Sequence, residues 1–396
     1  MDWMNNAIIY QIFIDRFSCG KARDSQTPIC EGPVFCGGNI RGIIERLDYL
    51  HDLGITALWI TPLNTTSAYH GYHITDYFSV DPHFGTLEDV KELISLAHGK
   101  GIKLLIDFVP NHLSSQHPYF IDAQQNKDSQ YRNWFYFQEW PDEYRCFLQY
   151  RELPKLNLDH PPAREHIIAA AKYWLGVGFD GLRLDHVFGP SHDFWRAFRR
   201  EVKKDFPHAV LVGEAYGISG VHKIAWKNLP TINLRGKFWK RLFQMSDQGM
   251  CAYVGELDGT LDFTFQKMML DYIARGGFFR PRWLLALKLK FHYMKFPKGF
   301  FLPTFLDNHD LDRFIFIAGG NKEKLKIAAQ IQFAQNQPAI IYQGTEMGVL
   351  QKCRIDSVKS YGDLEVRTML PWGAIDQELF AFYQGLIRKK KTGNDR

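Results

Sequence analysis

Several side chains able to carry or transfer protons follow short runs of Val, Leu, Ile and Phe in this 396-residue sequence: His112, Asp185, Glu214, His309, Asp310 and Glu346. Two carboxyl groups can cleave a glycosidic bond when they flank it. One stays ionised and attacks the anomeric carbon, while the other holds a proton for the leaving oxygen. The residue types therefore favour glycoside chemistry, provided that the fold brings these acids together.

The surroundings of the acids predict different protonation states. Arg183 precedes Asp185 by two residues, so in a strand both side chains point to the same face. A neighbouring guanidinium favours the charged carboxylate, which suits Asp185 as a nucleophile. Glu214 follows the apolar run 209–213, and such a setting tends to keep a carboxyl protonated, which suits an acid. Asp310 would be a third carboxylate that stabilises positive charge in an oxocarbenium-like transition state.

The elements that must position these side chains alternate between short β-branched runs and longer helical patterns, which is typical of a parallel α/β fold. We predict a (β/α)8 TIM barrel, in which reactive residues gather at the carboxyl ends of the strands. An open doubly wound sheet is the alternative, but no Gly-rich phosphate loop follows the first strand. The eight predicted strands are Ala7–Ile14, Ala57–Ile60, Lys103–Val109, Gly181–Leu184, Val210–Gly213, Leu261–Phe265, Phe301–Leu306 and Ala339–Tyr342.

The spacing of strands and helices is regular except after the third strand, where residues 111–162 are polar, aromatic and irregular. Loops of this length inside a compact domain are usually functional. We therefore predict an inserted domain B at 111–162 that lines a substrate cleft, and a catalytic barrel formed by 1–110 and 163–396. The predicted helices include Asn39–Leu53, Thr86–His98, Ala163–Leu175, Phe194–Lys204, Glu323–Phe333 and Glu378–Lys389.

The composition argues against several kinds of partner. The 48 basic and 43 acidic residues are interspersed, so the charge of +5 forms no nucleic-acid footprint. No stretch reaches the roughly 18 apolar residues of a membrane span, and no signal peptide is visible, so we expect a cytoplasmic protein. The oligomeric state stays open. Among six cysteines, Cys19, Cys30 and Cys36 share one early loop; we expect free thiols there, with a disulfide or a metal as alternatives.

Four short blocks carry a family resemblance: Asp107–His112, Gly178–Asp185, Val212–Glu214 and Phe305–Asp310. In this order they resemble glycoside hydrolase family 13, the α-amylase family, and most of all its neopullulanase-like and maltogenic members. Supporting stretches extend the resemblance over essentially the whole chain: Gly71–Tyr77, Val80–Thr86, Leu153–Asn157 and Tyr342–Glu346. A carboxy-terminal β-sandwich, which relatives usually add after the eighth helix, would be absent.

The resemblance implies a role for each matching residue. Asp185 would be the nucleophile, Glu214 the general acid/base and Asp310 the stabiliser of the transition state. The substrate-binding residues would be Tyr72, His112, Arg183 and His309, with Tyr72 stacked on the sugar and the histidines bonded to its hydroxyls. Asp107 matches a structural position behind Arg183 and is not counted as catalytic.

Two departures concern the loop after the second block, where Phe188 and Gly189 stand in place of the usual Lys-His. In the family the lysine holds the sugar beyond the cleavage point, and the histidine lends its carbonyl to a calcium ion. Asn111 matches another ligand of that calcium, and Asn39 replaces an Asp at a second calcium site that would involve the loop 24–39. We therefore expect no required cofactor and no metal site, with calcium as a weakly supported alternative.

The resemblance implies a retaining hydrolase that cleaves α-glucosidic bonds in starch, maltodextrin or related α-glucans. A 4-α-glucanotransferase is one alternative, because the same covalent intermediate can be passed to a sugar hydroxyl instead of water. A barrel that binds carbohydrate or a partner without catalysis is another, because one fold hosts many functions. Members of that last kind usually lose one of the three acids, all of which are present here.

Overall fold

A parallel sheet dominates the computed structural model, which describes residues 1–21, 30, 32–216, 245–276, 281–357 and 362–393. Each strand pairs in parallel with its neighbour in the spatial order β6-β5-β4-β3-β2-β1-β7. These strands are β1 (Ile8–Ile12), β2 (Ala57–Ile60), β3 (Lys103–Phe108), β4 (Gly181–Leu184), β5 (Val210–Gly213), β6 (Gly259–Thr260) and β7 (Ala339–Tyr342).

The segment Phe301–Thr304 closes this sheet into a barrel by bridging its two ends. Phe301 forms a parallel bridge with Gly259 of β6, and Thr304 forms one with Ala339 of β7. The backbone N–H of Thr260 donates to the Phe301 carbonyl at 3.0 Å, and that of Ile340 donates to the Thr304 carbonyl at 2.8 Å. The segment occupies the eighth strand position, so the predicted (β/α)8 barrel is confirmed.

Four predicted strands have different limits in the structure. Lys103–Val109 ends one residue earlier, at Phe108, and Phe301–Leu306 is reduced to the two bridges at Phe301 and Thr304. The predicted strand Leu261–Phe265 is wrong over its whole length, because β6 ends at Thr260 and a helix begins at Phe263. The cause is Asp262, whose carboxylate accepts a hydrogen bond from the Phe265 N–H at 2.8 Å and caps this helix. The predicted strand Ala7–Ile14 likewise extends too far, because β1 ends at Ile12 and a helical turn occupies Ile14–Phe17.

Most of the helices surround the barrel and bury one face against it. The predicted helices are confirmed to within one or two residues at most ends, except that Asn39–Leu53 is divided at Arg46. Thr86 and Asp89 form a capping box at the start of one helix. The described α-helices are Ile14–Phe17, Ile40–Glu45, Leu47–Leu53, Leu87–Gly99, Pro118–Gln125, Pro161–Val177, His192–Asp205, Met245–Cys251, Phe263–Met269, Arg282–Tyr293, Phe314–Ile317, Lys322–Phe333 and Gln377–Thr392.

The excursion 111–162 adds no strand to the barrel sheet, as expected. It contains the helix Pro118–Gln125 and two small antiparallel pairs formed by Phe137–Glu139, Glu143–Tyr144, Cys146–Phe147 and Tyr150–Pro154. An antiparallel bridge between His112 and Lys155 joins the two ends of the excursion next to β3. The domain limits at 110/111 and 162/163 stay a prediction. Outside the excursion, an antiparallel pair of Asn64–Thr66 and Ile74–Val80 follows β2.

Alternate residues of the strands pack on opposite sides of the barrel wall, which follows from the two-residue repeat of a strand. Ile9, Trp59, Leu105 and Val212 belong to one buried cluster, which fills the barrel. The intervening residues pack against the helices. Val212 lies in register with Arg183, so Arg183 points toward the barrel axis.

The early cysteine loop contradicts the expectation of free thiols. Cys30 and Cys36 form a disulfide with their Cα atoms 5.9 Å apart, whereas Cys19 keeps its thiol, which donates to the Cys36 carbonyl at 3.3 Å. The backbone of Cys36 is fixed by a hydrogen bond from its N–H to the buried carboxylate of Asp15 at 2.9 Å. This bond places the Cys36 side chain within reach of Cys30. In the part of the chain that the structure describes, no helix is long and apolar enough to cross a membrane.

Candidate active site

One buried guanidinium gathers three carboxyl groups at the carboxyl end of the barrel. Arg183 is only 1% exposed and lies in register with Asp107 on β3. Its Nη1 donates to Asp107 Oδ1 at 2.8 Å and to Asp185 Oδ1 at 2.9 Å. Its Nη2 lies 2.7 Å from Glu214 Oε1. The two acids predicted to flank the scissile bond therefore share one cation.

Backbone hydrogen bonds place Asp185 and Glu214 just beyond the ends of their strands. The Asp185 N–H donates to the Phe108 carbonyl at 2.9 Å, and the Glu214 N–H donates to the Leu184 carbonyl at 2.8 Å. The two strand ladders thus continue for one more residue and fix both Cα positions. The N–H of His186 then donates to Glu214 Oε2 at 3.2 Å. These bonds orient the carboxyl groups before any substrate binds.

Burial dominates the protonation of this pair. Burial raises the pKa of both Asp185 and Glu214, and Arg183 acts in the opposite direction on each. For Asp185 this differs from the expectation, in which Arg183 alone was to favour the ionised form. The reason is that Asp185 is 8% exposed and faces other acids, and the same guanidinium must also serve Asp107 and Glu214.

Asp310 stands at the open side of the site, with its side chain 41% exposed. Its Oδ1 accepts from Arg367 Nη2 at 2.7 Å, and its Oδ2 lies 3.0 Å from His309 Nε2. Partial burial acts to raise the pKa of Asp310, but His309 and Arg367 outweigh it and hold this pKa far below the ordinary value. Asp310 is therefore the acid of the set that stays ionised over the widest pH range.

A hydrogen-bonded chain connects the Asp310 side of the site to the Arg183 side. Gln11 Nε2 lies 2.6 Å from His309 Nδ1, and His309 Nε2 lies 2.7 Å from the Tyr72 hydroxyl. The Tyr72 hydroxyl donates to Asp107 Oδ2 at 2.8 Å. With the Gln11 amide donating, Nδ1 accepts and the His309 proton lies on Nε2. The Tyr72 and His309 rings stack in parallel with centroids 5.6 Å apart.

His112 lies on the opposite wall, where the excursion meets the barrel. The residue is 1% exposed, and its Nε2 has no hydrogen-bond partner among the described residues. Its ring lies 4.7 Å from the Phe147 ring, which in turn lies 4.7 Å from the ring of His186. The Phe147 ring thus contacts both His112 and His186, and Nε2 of His112 is available for a ligand.

Two residues that contact the predicted acids were missed by the sequence analysis. Arg367 holds Asp310 and also donates from Nε to the His309 carbonyl at 3.0 Å. It lies 57 positions from Asp310, in a stretch without strand or motif, and no pattern in the sequence points to it. His186 acts through its backbone N–H, which every residue except proline possesses, so its identity carries no signal either.

The residues near Gly189 do not fit a calcium ion. The Gly189 carbonyl accepts a hydrogen bond from the Lys155 ammonium at 2.6 Å, and a cation already at this oxygen would repel calcium. Asn39, at the second candidate site, is engaged as a helix cap: its Oδ1 accepts from the Gly42 N–H at 2.9 Å. Asp24, on the same loop, lies outside the described residues. The expectation that no metal is required stays a prediction.

The amino-acid sequence matches a known family model and several relatives. The model of the α-amylase catalytic domain matches residues 11–382. Alpha-amylase 2 of Dictyoglomus thermophilum is 36% identical over 400 residues, covering 98% of this chain and 64% of that protein. Neopullulanase 2 of Thermoactinomyces vulgaris is 31% identical over 410 residues, covering 98% of this chain and 63% of that protein. The chain thus spans just under two thirds of the length of these relatives.

The fold matches solved structures over nearly its whole length. Cyclic α-maltosyl-(1→6)-maltose hydrolase from Arthrobacter globiformis superposes with a TM-score of 0.81 at 28% sequence identity, covering 98% of this chain and 83% of that one. A cyclomaltodextrinase superposes with a TM-score of 0.82 at 30% identity, covering 99% and 64%. With a family model matching residues 11–382 and a 36% identical relative, this chain belongs to the α-amylase family, as its sequence motifs predicted.

Proposed function

We propose that this chain is a retaining glycoside hydrolase that cleaves α-glucosidic bonds in starch, maltodextrin or related α-glucans. The observation that carries the proposal is the common contact of Asp185 and Glu214 with the guanidinium of Arg183. Two acids on one cation are near enough to flank a single sugar. Retaining enzymes need carboxyl groups about 5–5.5 Å apart, because one of them must reach the anomeric carbon directly.

The hydrogen bonds around Arg183 favour one distribution of the proton between the two acids. Asp185 accepts a well-formed hydrogen bond from Arg183 Nη1, which stabilises its ionised form. Arg183 Nη2 makes no hydrogen bond of favourable geometry among the described residues, despite its short distance to Glu214. Burial raises the pKa of both acids and does not distinguish them, so the hydrogen bonds of Arg183 are what favours Glu214 as the holder of the proton. This is the starting state that a double displacement needs.

The reaction would proceed in two steps. In the first, an Asp185 oxygen bonds to the anomeric carbon while the bond from that carbon to the leaving oxygen breaks, and Glu214 gives its proton to that oxygen. In the second, the Glu214 carboxylate takes a proton from water as the water oxygen bonds to the anomeric carbon and the Asp185 ester breaks. The two inversions restore the α configuration.

The remaining residues would bind the sugar and stabilise the charge that develops on it. Asp310 is held ionised at the open side and offers a negative charge to the oxocarbenium-like transition state. His112 Nε2 is a buried nitrogen without a partner among the described residues and would bond a sugar hydroxyl. Tyr72 would present its ring to the sugar while its hydroxyl stays bonded to Asp107 and His309.

The substrate class is supported by the relatives of this chain, which include an alpha-amylase, a neopullulanase and a cyclomaltodextrinase. To test the proposal, maltotriose, starch, pullulan and β-cyclodextrin are incubated with the protein, and the first-formed anomer is followed by proton NMR. The α anomer should appear first and then mutarotate. A β anomer, or the absence of cleavage from all four substrates, would contradict the proposal. Products longer than maltotriose would indicate transfer to sugar.

A further inference from the structure

The turn that orients Glu214 is itself held by a lysine of the excursion. Lys155 Nζ donates to the Gly189 carbonyl at 2.6 Å across 34 positions of the chain. The Gly189 N–H donates to the His186 carbonyl at 3.0 Å, and the His186 N–H donates to Glu214 Oε2 at 3.2 Å. Three consecutive hydrogen bonds thus lead from one ammonium group to the carboxyl group proposed as the acid/base.

Gly189 packs tightly against the side chain of Asn111. A Cβ atom at Gly189 would lie 1.8 Å from the side-chain oxygen of Asn111, so only glycine fits here. That Asn111 oxygen is buried and has no hydrogen-bond partner among the described residues. Two oxygens, the Gly189 carbonyl and the Asn111 amide, therefore lie in a region where positive charge is favourable. His186, at the start of the turn, has a φ of 43°, which a non-glycine residue adopts only when neighbouring contacts hold it.

Lys155 is placed firmly enough to act as a fixed charge. Its N–H donates to the Arg145 carbonyl at 2.9 Å, and it bridges His112 across the antiparallel pairing that joins the excursion to the barrel. Burial lowers the pKa of Lys155 to about 8, which leaves the ammonium charged at pH 7. A fixed cation at this position joins the excursion to the loop after β4.

We propose that Lys155 is a positioning residue that takes the place of a divalent cation between the excursion and the barrel, and that it orients Glu214 through the turn His186–Gly189. This inference rests on the proposed function, because the role given to the turn is to orient Glu214, the proposed acid/base. It explains why an ammonium group, and not a calcium ion, lies at the Gly189 carbonyl. Lys155 itself touches neither Glu214 nor the reacting atoms.

The test compares Lys155→Met and Lys155→Arg with Lys390→Met as a matched control. Lys390 is also a partly buried lysine that donates to backbone carbonyls, those of Phe333 and Gln335, and burial likewise lowers its pKa to about 8. Loss of the Lys155 ammonium should reduce kcat by about tenfold, a part of what general acid–base catalysis supplies, with KM changed less than threefold. The alkaline limb of the kcat/KM profile should move to higher pH, because Glu214 loses a hydrogen bond that favours its charged form. Lys155→Arg should restore most of kcat.

The control separates positioning from stability. Lys390→Met should lower Tm but leave kcat and the pH profile as in the unmodified protein. If Lys155→Met lowers Tm and changes neither kcat nor the profile, Lys155 has a structural role only and the inference is wrong. If Glu214→Gln retains full activity, the proposed function fails instead, whatever the lysine variants do.

A second measurement needs neither activity nor a folded Lys155→Met protein. Any change in Tm between EDTA and millimolar CaCl2 should be the same within about 1 °C in the unmodified protein and in Asn111→Ala, since Lys155 already supplies the cation beside Gly189. An increase of several degrees in CaCl2 that Asn111→Ala abolishes would show calcium bound beside Gly189, and would overturn the inference.

Discussion

Arg367 and Asp310 form a 2.7 Å ion pair between the loop after the last strand of the barrel and the exposed acid of the site. The same guanidinium donates to the His309 carbonyl at 3.0 Å, so it orients two neighbouring residues at once. Because Arg367 opposes protonation of Asp310, it keeps a negative charge available at the open side of the site. The loop after β7 therefore lowers the pKa of Asp310, and no motif in the sequence of that loop indicates this effect.

Replacing Arg367 by Met should raise the pKa of Asp310 and remove the hydrogen bond that orients its carboxylate. We expect kcat to fall about tenfold to hundredfold, since an oriented charge would be lost from the transition state. The measurement is kcat for maltotriose cleavage at the pH optimum. Arg354→Met removes an exposed arginine that pairs with Asp356 and should leave kcat unchanged. An undiminished kcat in Arg367→Met would show that Arg367 does not orient Asp310.

Replacing Asp185 by Asn should reduce kcat by at least about 10³-fold, because the amide cannot form the glycosyl ester. Far-ultraviolet circular dichroism should show an unchanged fold. Asp258→Asn is the matched control: Asp258 is a buried carboxylate held by Arg199 and Lys203 before β6, away from the carboxyl ends of the strands. That variant should lose stability but retain kcat. Undiminished cleavage by Asp185→Asn would disprove the assigned nucleophile.

Replacing Arg183 by Met should destabilise the protein by about 3–5 kcal/mol, because three buried carboxyl groups would lose their common partner. Urea unfolding gives this free energy. Arg199→Met is the control, because Arg199 is less buried. This replacement should lower the free energy of unfolding by a smaller amount, since Lys203 still pairs with Asp258. Equal losses in the two variants would mean that Arg183 contributes no more than an ordinary ion pair.

Stability should fall at alkaline pH because of His292, which is 1% exposed and lies 3.0 Å from both Asp247 and Asp262. Burial acts to lower its pKa, but the two carboxylates outweigh this and raise it from 6.5 to about 9. A raised pKa in the folded state stabilises fully below pH 6.5, and this contribution is lost as the pH rises through about 9. The shift corresponds to about 3 kcal/mol.

The measurement is the free energy of urea unfolding between pH 6 and pH 10. His292→Gln should be less stable than the unmodified protein at pH 6, and the difference between the two proteins should shrink as the pH rises through about 9. Parallel pH profiles for the two proteins would exclude His292 as the cause.

The location of the acids could be predicted because strand ends have a strong local signal. An apolar run followed by a charged residue marks both a buried strand and its exposed end, so Asp185 and Glu214 follow from the pattern alone. The signal failed at Leu261–Phe265, because an apolar run that turns from strand to helix looks the same as a longer strand. Only Asp262, a capping residue, marks the change.

Contacts between distant segments could not be predicted in this way. The pairing of Lys155 with Gly189 and of Arg367 with Asp310 depends on how loops cross the rim of the barrel, and neither lysine nor arginine has a fixed distance to its partner along the chain. The disulfide between Cys30 and Cys36 depends likewise on Asp15, a residue on another element. Each of these side chains looks like an ordinary surface residue in the sequence.

The barrel wall is joined unevenly around its circumference. Between β6 and β7 the segment Phe301–Thr304 is fastened by one bridge on each side, whereas β3, β4 and β5 share continuous four-residue pairings. The hydrogen bonds of Phe301–Thr304 can therefore break locally while the strands that support Arg183 stay paired. Amide protons at Thr260 and Ile340 should accordingly exchange with solvent sooner than those of Gly181–Leu184. Local opening of the barrel would then be confined to the side away from the proposed nucleophile.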